Sequence, residues 1–136
     1  MDVQNLPFNK ALGLKADGVR ICLSPDGQHL NHVGTIHATV IFGIAEAASG
    51  NLLLQRFPEL EGSYVALLRE STTKFRRPAD SSAELSAIGT LSDDEATQFL
   101  TTLESRGRAT IEISVSVTQS DTEVFIGIFK WFAARK

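Results

Sequence analysis

The stretch HATVIFGIAEAASGNLLLQRF, His37–Phe57, decides the fold. It is too long for an ordinary strand, its Ala, Leu and Glu favour helix, and Pro58 stops it. Val40, Ile41, Phe42, Ile44, Leu52, Leu53 and Leu54 are spread around the helical wheel, so the predicted helix is apolar on nearly every side and must be buried. Glu46 is the only acid or base from Ala38 to Gln55. A lone ionised carboxylate is costly to bury, so it is paired, protonated or used.

The pattern changes around this helix. Gly18–Leu23 reads as a short strand followed by the turn residues Ser24-Pro-Asp-Gly27. After Gly62 the period becomes two. Ser63–Arg77 and Ala83–Leu91 read as long strands, Ala109, Ile111, Ile113, Val115 and Val117 alternate with polar partners, and Glu123–Phe132 reads as a further aromatic-rich strand. Between them, Ser92-Asp-Asp-Glu95 has capping-box spacing and opens an amphipathic helix through Phe99, Leu100 and Leu103 that ends at Arg106-Gly107. A helix that is apolar all round needs apolar surface all round, which a curved antiparallel sheet and a partner supply. The expected fold is therefore α+β, the hotdog arrangement, in which a curved antiparallel sheet wraps around one long central helix.

At 136 residues the chain is expected to form a single domain, 1–136, with enough core to fold without disulfides or metals. The formal net charge of −3 excludes a broad basic surface, so nucleic acid is not an expected partner. Cys22 is the sole cysteine, and Met1-Asp-Val-Gln-Asn5 lacks the basic start and apolar core of a signal peptide, so the expected location is cytoplasmic. A mid-span acid costs about 2.5–3.5 kcal/mol, which argues against a membrane helix through Glu46. His29, His32, His37 and Cys22 match no zinc spacing, there is no Gly-x-Ser-x-Gly elbow, and the glycines form no phosphate loop. Neither a metal nor a cofactor is expected, coenzyme A entering only as part of a substrate.

The pattern Asn31-x-x-Gly34-Thr35-x-His37, followed nine residues later by Glu46, resembles hotdog-fold acyl-CoA thioesterases of the phenylacetate-pathway type, the PaaI-like branch. Lys74-Phe-Arg-Arg-Pro-Ala79 looks like the end of that family's first long strand. The resemblance implies that Glu46 is the catalytic carboxylate, that Asn31 helps position the substrate carbonyl or attacking water, and that His37 holds the helix start. It also implies that the backbone N–H of Ala38 faces the thioester carbonyl, with Gly34 and Thr39 beside the substrate. Ala38 and Thr39 stand where such enzymes carry Gly-Gly. Arg76 and Arg77 are suited to contact coenzyme A phosphates, or simply to solvate a strand end.

Helix geometry adds an independent constraint. Nine residues from His37 to Glu46 span about 13.5 Å and turn about 900°, so the two face opposite sides and cannot hold one carbonyl between them. If both serve one site they come from different chains. A homodimer follows, with a dimer of dimers as the larger assembly, and Ala45, Ala47, Ala48, Ser49 and Gly50 are small enough to admit a partner's helix. The functional expectation is hydrolysis of an acyl thioester at a dimer-interface site. The alternatives are a non-catalytic acyl-CoA-binding protein and an enoyl-CoA hydratase. The structural alternative for Glu46 is an ion pair with a strand cation such as Arg69.

Overall fold

The computed structural model describes residues 1–136. An N-terminal arm comes first, with a 3₁₀ turn at Val3–Asn5 and the short helix α1 (Pro7–Leu12). The hairpin β1 (Lys15–Asp17) and β2 (Arg20–Leu23) follows, then the long helix α2 (Ala38–Arg56) and a kinked turn α3 (Leu60–Ser63). The remaining elements are β3 (Tyr64–Phe75), β4 (Leu85–Thr90), helix α4 (Asp93–Arg106), β5 (Arg108–Gln119) and β6 (Thr122–Arg135). One six-stranded sheet results, in the order β1-β2-β4-β5-β6-β3, and every pairing is antiparallel.

Helix α2 lies across this sheet, packed on β2, β4 and β5. Val40, Ile41, Ile44, Leu52 and Leu53 are buried, together with Ala45, Ala47 and Ala48. By length and composition α2 would suffice to cross a membrane, but most of it is enclosed by the protein's own sheet and arm. The predicted alternation of β5 holds: Ala109, Ile111, Ile113, Val115 and Val117 all point into the core. On β6 the inner face carries Phe125 and Phe129, and Gly127 lies between them because a Cβ there would come within 3.0 Å of both rings. The Ser92–Glu95 capping box forms in both directions and starts α4, whose Phe99 packs on Phe57 with ring centroids 4.8 Å apart.

The α+β sheet-wrapped helix is the expected architecture, with two additions in front of it. Strand β1 and helix α1 have no expectation in the sequence because they are short, and α1 carries little apolar periodicity. One packing expectation is corrected. The small residues Ala45, Ala48 and Ser49 are fully buried within the chain, and Ala47 nearly so; Ala48 lies below Gly89 of β4, and Gly50 meets the Trp131 ring. They admit the protein's own sheet. Phe42 packs on Phe129 and Phe57 on Phe99 within the chain, and Leu53 is buried. Arg69 stacks 3.9 Å above the Phe132 ring and makes no ion pair with Glu46.

Candidate active site

The segment before α2 is built by Asn31. Its Oδ1 accepts from the backbone N–H groups of Val33 (3.0 Å) and Thr35 (3.1 Å), and its Nδ2 donates to the Thr35 hydroxyl at 2.8 Å. Gly34 adopts φ +80°, the left-handed conformation that closes this turn without a Cβ penalty. The amide that the resemblance assigns to the substrate is thus already committed to shaping the loop that delivers the chain to the helix. Ile36 N–H donates to Ala79 O at 2.8 Å, which ties the loop to the segment leaving β3, where Arg76 and Arg77 lie.

His37 is the N-cap of α2. Its Nδ1 accepts from Thr39 N–H at 3.0 Å, and its own N–H donates to His29 O at 2.8 Å. The N–H groups of Val40 and Ile41 reach back to His37 O. Of the first-turn donors, Ala38 N–H alone has no partner in the protein, and Ala38 is exposed. A free N–H at the positive end of a nineteen-residue helix is suited to an oxygen that gains negative charge. Ala38, Asn31, Arg76 and Arg77 line one cleft of about 240 Å³. Arg76 is 3.7 Å from Glu123, whereas Arg77 is exposed and makes no ion pair. The sequence-predicted residues of the helix start and of the basic cluster therefore come together, with Gly34 and Thr39 next to them in the chain.

Glu46 opens elsewhere. It is half-buried in a separate chamber of about 360 Å³ whose walls include Leu53, Leu54, Leu60 and Trp131. Its carboxylate makes neither an ion pair nor a hydrogen bond within the protein, and burial pushes its pKa above the ordinary carboxylate value. The backbone beside it is held firmly: Ser49 Oγ donates to Glu46 O at 2.7 Å and accepts from Trp131 Nε1 at 3.0 Å. Ser49 and Trp131 were not expected at the site. Their signal was a serine three residues after the acid, on an apolar helix, in a chain with a single tryptophan.

The helix start and the carboxylate thus lie in different cavities of one chain, as the helical arithmetic requires. The three histidines are not grouped. His29 is buried and caps a 3₁₀ turn, with Nδ1 accepting from Asp26 N–H and Nε2 lying 2.9 Å from Leu12 O, while His32 is exposed. No group of three or more His, Cys, Asp or Glu side chains is arranged to hold a metal ion.

Residues 11–132 match a family described as Domain of unknown function (DUF4442). No curated protein sequence matches the chain. Among solved structures, a protein of unknown function from Pseudomonas aeruginosa described as a probable thioesterase superposes with a TM-score of 0.83 at 23% identity, over 98% of this chain and 91% of that one. The PaaI protein of the E. coli phenylacetic acid degradation operon gives a TM-score of 0.71 at 18% identity, over 98% and 86%. A Bacillus halodurans protein solved with CoA gives 0.72 at 15% identity, over 93% and 74%. At these identities the likeness carries the hotdog fold alone.

Proposed function

Since this chain belongs to the DUF4442 family and has the hotdog fold, we propose that it is a thioester hydrolase that cleaves acyl-CoA or a related acyl thioester between two copies of itself. The observation that carries this reading is the presence of two incomplete halves in separate cavities of the chain. One half is an exposed cleft with an unpaired backbone N–H at the start of α2 and a free arginine; the other is an unpaired carboxylate in an apolar chamber. Each half lacks what the other holds.

In the proposed site the thioester oxygen accepts from Ala38 N–H of one protomer, and the helix end stabilises the charge that develops on it. Glu46 of the other protomer, raised in pKa by its apolar surroundings, takes a proton from the attacking water; direct attack to form an anhydride is the other route open to it. Asn31 and His37 act as positioning residues, the first through the turn and the second through the cap that leaves Ala38 N–H unpaired. Arg77 and Arg76 meet the anionic portion of the leaving group at the cleft mouth, and Gly34 and Thr39 flank it. The edge strand β3 leaves Val65 and Leu67 exposed, 43% and 59%, a surface that a second copy would cover.

The replacement of Gly-Gly by Ala38-Thr39 favours one second reading, an acyl-CoA-binding protein without turnover. Free-thiol release from a panel of acyl-CoA esters, measured for the unaltered protein and Glu46→Gln, decides between them. Turnover that collapses in the variant while the dimer persists supports hydrolysis. Saturable acyl-CoA binding with no release from any ester rejects it.

A further inference from the structure

The chamber beside Glu46 has one wall that the hydrolytic reading leaves unexplained. The N-terminal arm folds back over α2 and contributes Val3, Leu6 and Asn9 to the lining. This wall is built: Val3 and Asn9 are 4% exposed, Asn9 Nδ2 donates to Val3 O at 2.9 Å, and Gln4 Oε1 accepts from Ala16 N–H at 3.0 Å. Phe8 and Leu12 press on Gly43, where a Cβ would meet them at 3.5 and 3.1 Å, so the arm and α2 approach closely. The interior surfaces are apolar, and the charged lining groups other than Glu46, namely the Met1 α-amino group with its ion-pair partner Glu61, and Lys136, belong to exposed residues.

The cationic cleft and this chamber divide a thioester by chemistry. The anionic leaving group fits the side that bears Ala38 N–H, Arg76 and Arg77. The acyl group fits the side that bears Glu46, where burial releases water from apolar surface. An engineered cavity of about 150 Å³ holds benzene, so a chamber of about 360 Å³ has room for on the order of ten acyl carbons or an aryl-acyl group. Resting on the proposed hydrolysis site, we infer that the N-terminal arm closes the acyl end of that site, and that Val3 and Leu6 set the length limit of the acyl group it accepts.

Trp131 lines the chamber and is the only tryptophan, so its fluorescence reports occupancy with no turnover. The probe is a series of terminally brominated primary alcohols of about six to fourteen carbons, which are uncharged, bury stepwise more methylene surface and quench an indole on contact. The expected result is saturable quenching with an optimum chain length, affinity rising about fourfold per added carbon up to that limit. Val3→Ala enlarges the chamber and shifts the optimum to a longer chain. Leu6→Gln, at a residue 40% exposed and therefore tolerant of change, weakens binding of the longest probes without unfolding the arm. Absence of quenching at every length, or an optimum that neither variant moves, overturns the inference. Quenching without thioester hydrolysis retains the chamber and rejects the hydrolase; hydrolysis without quenching does the reverse.

Discussion

Replacing Ala38 by proline separates the role of one N–H from the stability of the fold. Ala38 is the first residue of α2, the position at which proline is best tolerated because its missing N–H has no intrahelical partner. The preceding residue, His37, already has φ −60° and ψ 136°, within the extended region that proline imposes on its predecessor. The cap bond from Thr39 N–H to His37 Nδ1 and the Val40 and Ile41 bonds to His37 O do not involve the deleted proton. Folding stability is expected to stay level or rise by about 0.4–1 kcal/mol through the stiffer unfolded chain. Activity is expected to fall about 10²–10³-fold in kcat, the 2.7–4 kcal/mol that one oxyanion donor typically supplies. Thiol release on a preferred ester, alongside thermal unfolding, reads both quantities. Ala38→Gly keeps the N–H and is expected to retain turnover. A folded Ala38→Pro protein with kcat within about twofold of the unaltered one would refute the oxyanion role of this N–H.

Glu46→Gln is expected to stabilise the protein at neutral pH while removing turnover. Burial raises the folded pKa of Glu46 above its unfolded value, so the fold binds more protons. Stability is complete below the ordinary carboxylate pKa and declines as pH rises through the folded one; unfolding midpoints of the two proteins should therefore diverge across that window and run parallel above it. Activity of the unaltered protein should rise over the same window as Glu46 ionises. His37→Ala is expected to cost about 1 kcal/mol in denaturant unfolding through the lost cap, with His37→Asn recovering most of it. Gly34→Ala places a Cβ at φ +80° and should cost about 1–2 kcal/mol in the same assay. Arg77→Ala should raise KM for acyl-CoA about tenfold with kcat unchanged, the effect shrinking as salt is added.

Much of the fold is legible in local pattern. The nineteen residues of α2 follow from an apolar run too long for a strand, closed by Pro58, and β5 follows from five alternating apolar residues with their polar partners. Helix α4 starts where its capping box is written. The candidate site was legible in part. Glu46 stands out because it is the only acid or base from Ala38 to Gln55, and Asn31, Gly34 and His37 because their pattern resembles that of the PaaI-like thioesterases. The chemistry of Asn31 was less legible, since the same amide serves a substrate or a turn, and only the bonds to Val33, Thr35 and the Thr35 hydroxyl show it engaged in the turn.

What the sequence determined by itself is whatever depends on neighbours along the chain: periodicity, caps, turn residues, and the opposed directions of His37 and Glu46 on one helix. What tertiary structure decided depends on residues far apart in sequence. It brought Arg76 and Arg77 to the helix start through the Ile36–Ala79 bond, and Trp131 to Ser49 beside the carboxylate. It turned the small residues of α2 toward the chain's own sheet and folded the N-terminal arm into the wall of the chamber. Local pattern cannot specify these contacts, because an apolar face records that it will be buried and leaves open what will cover it.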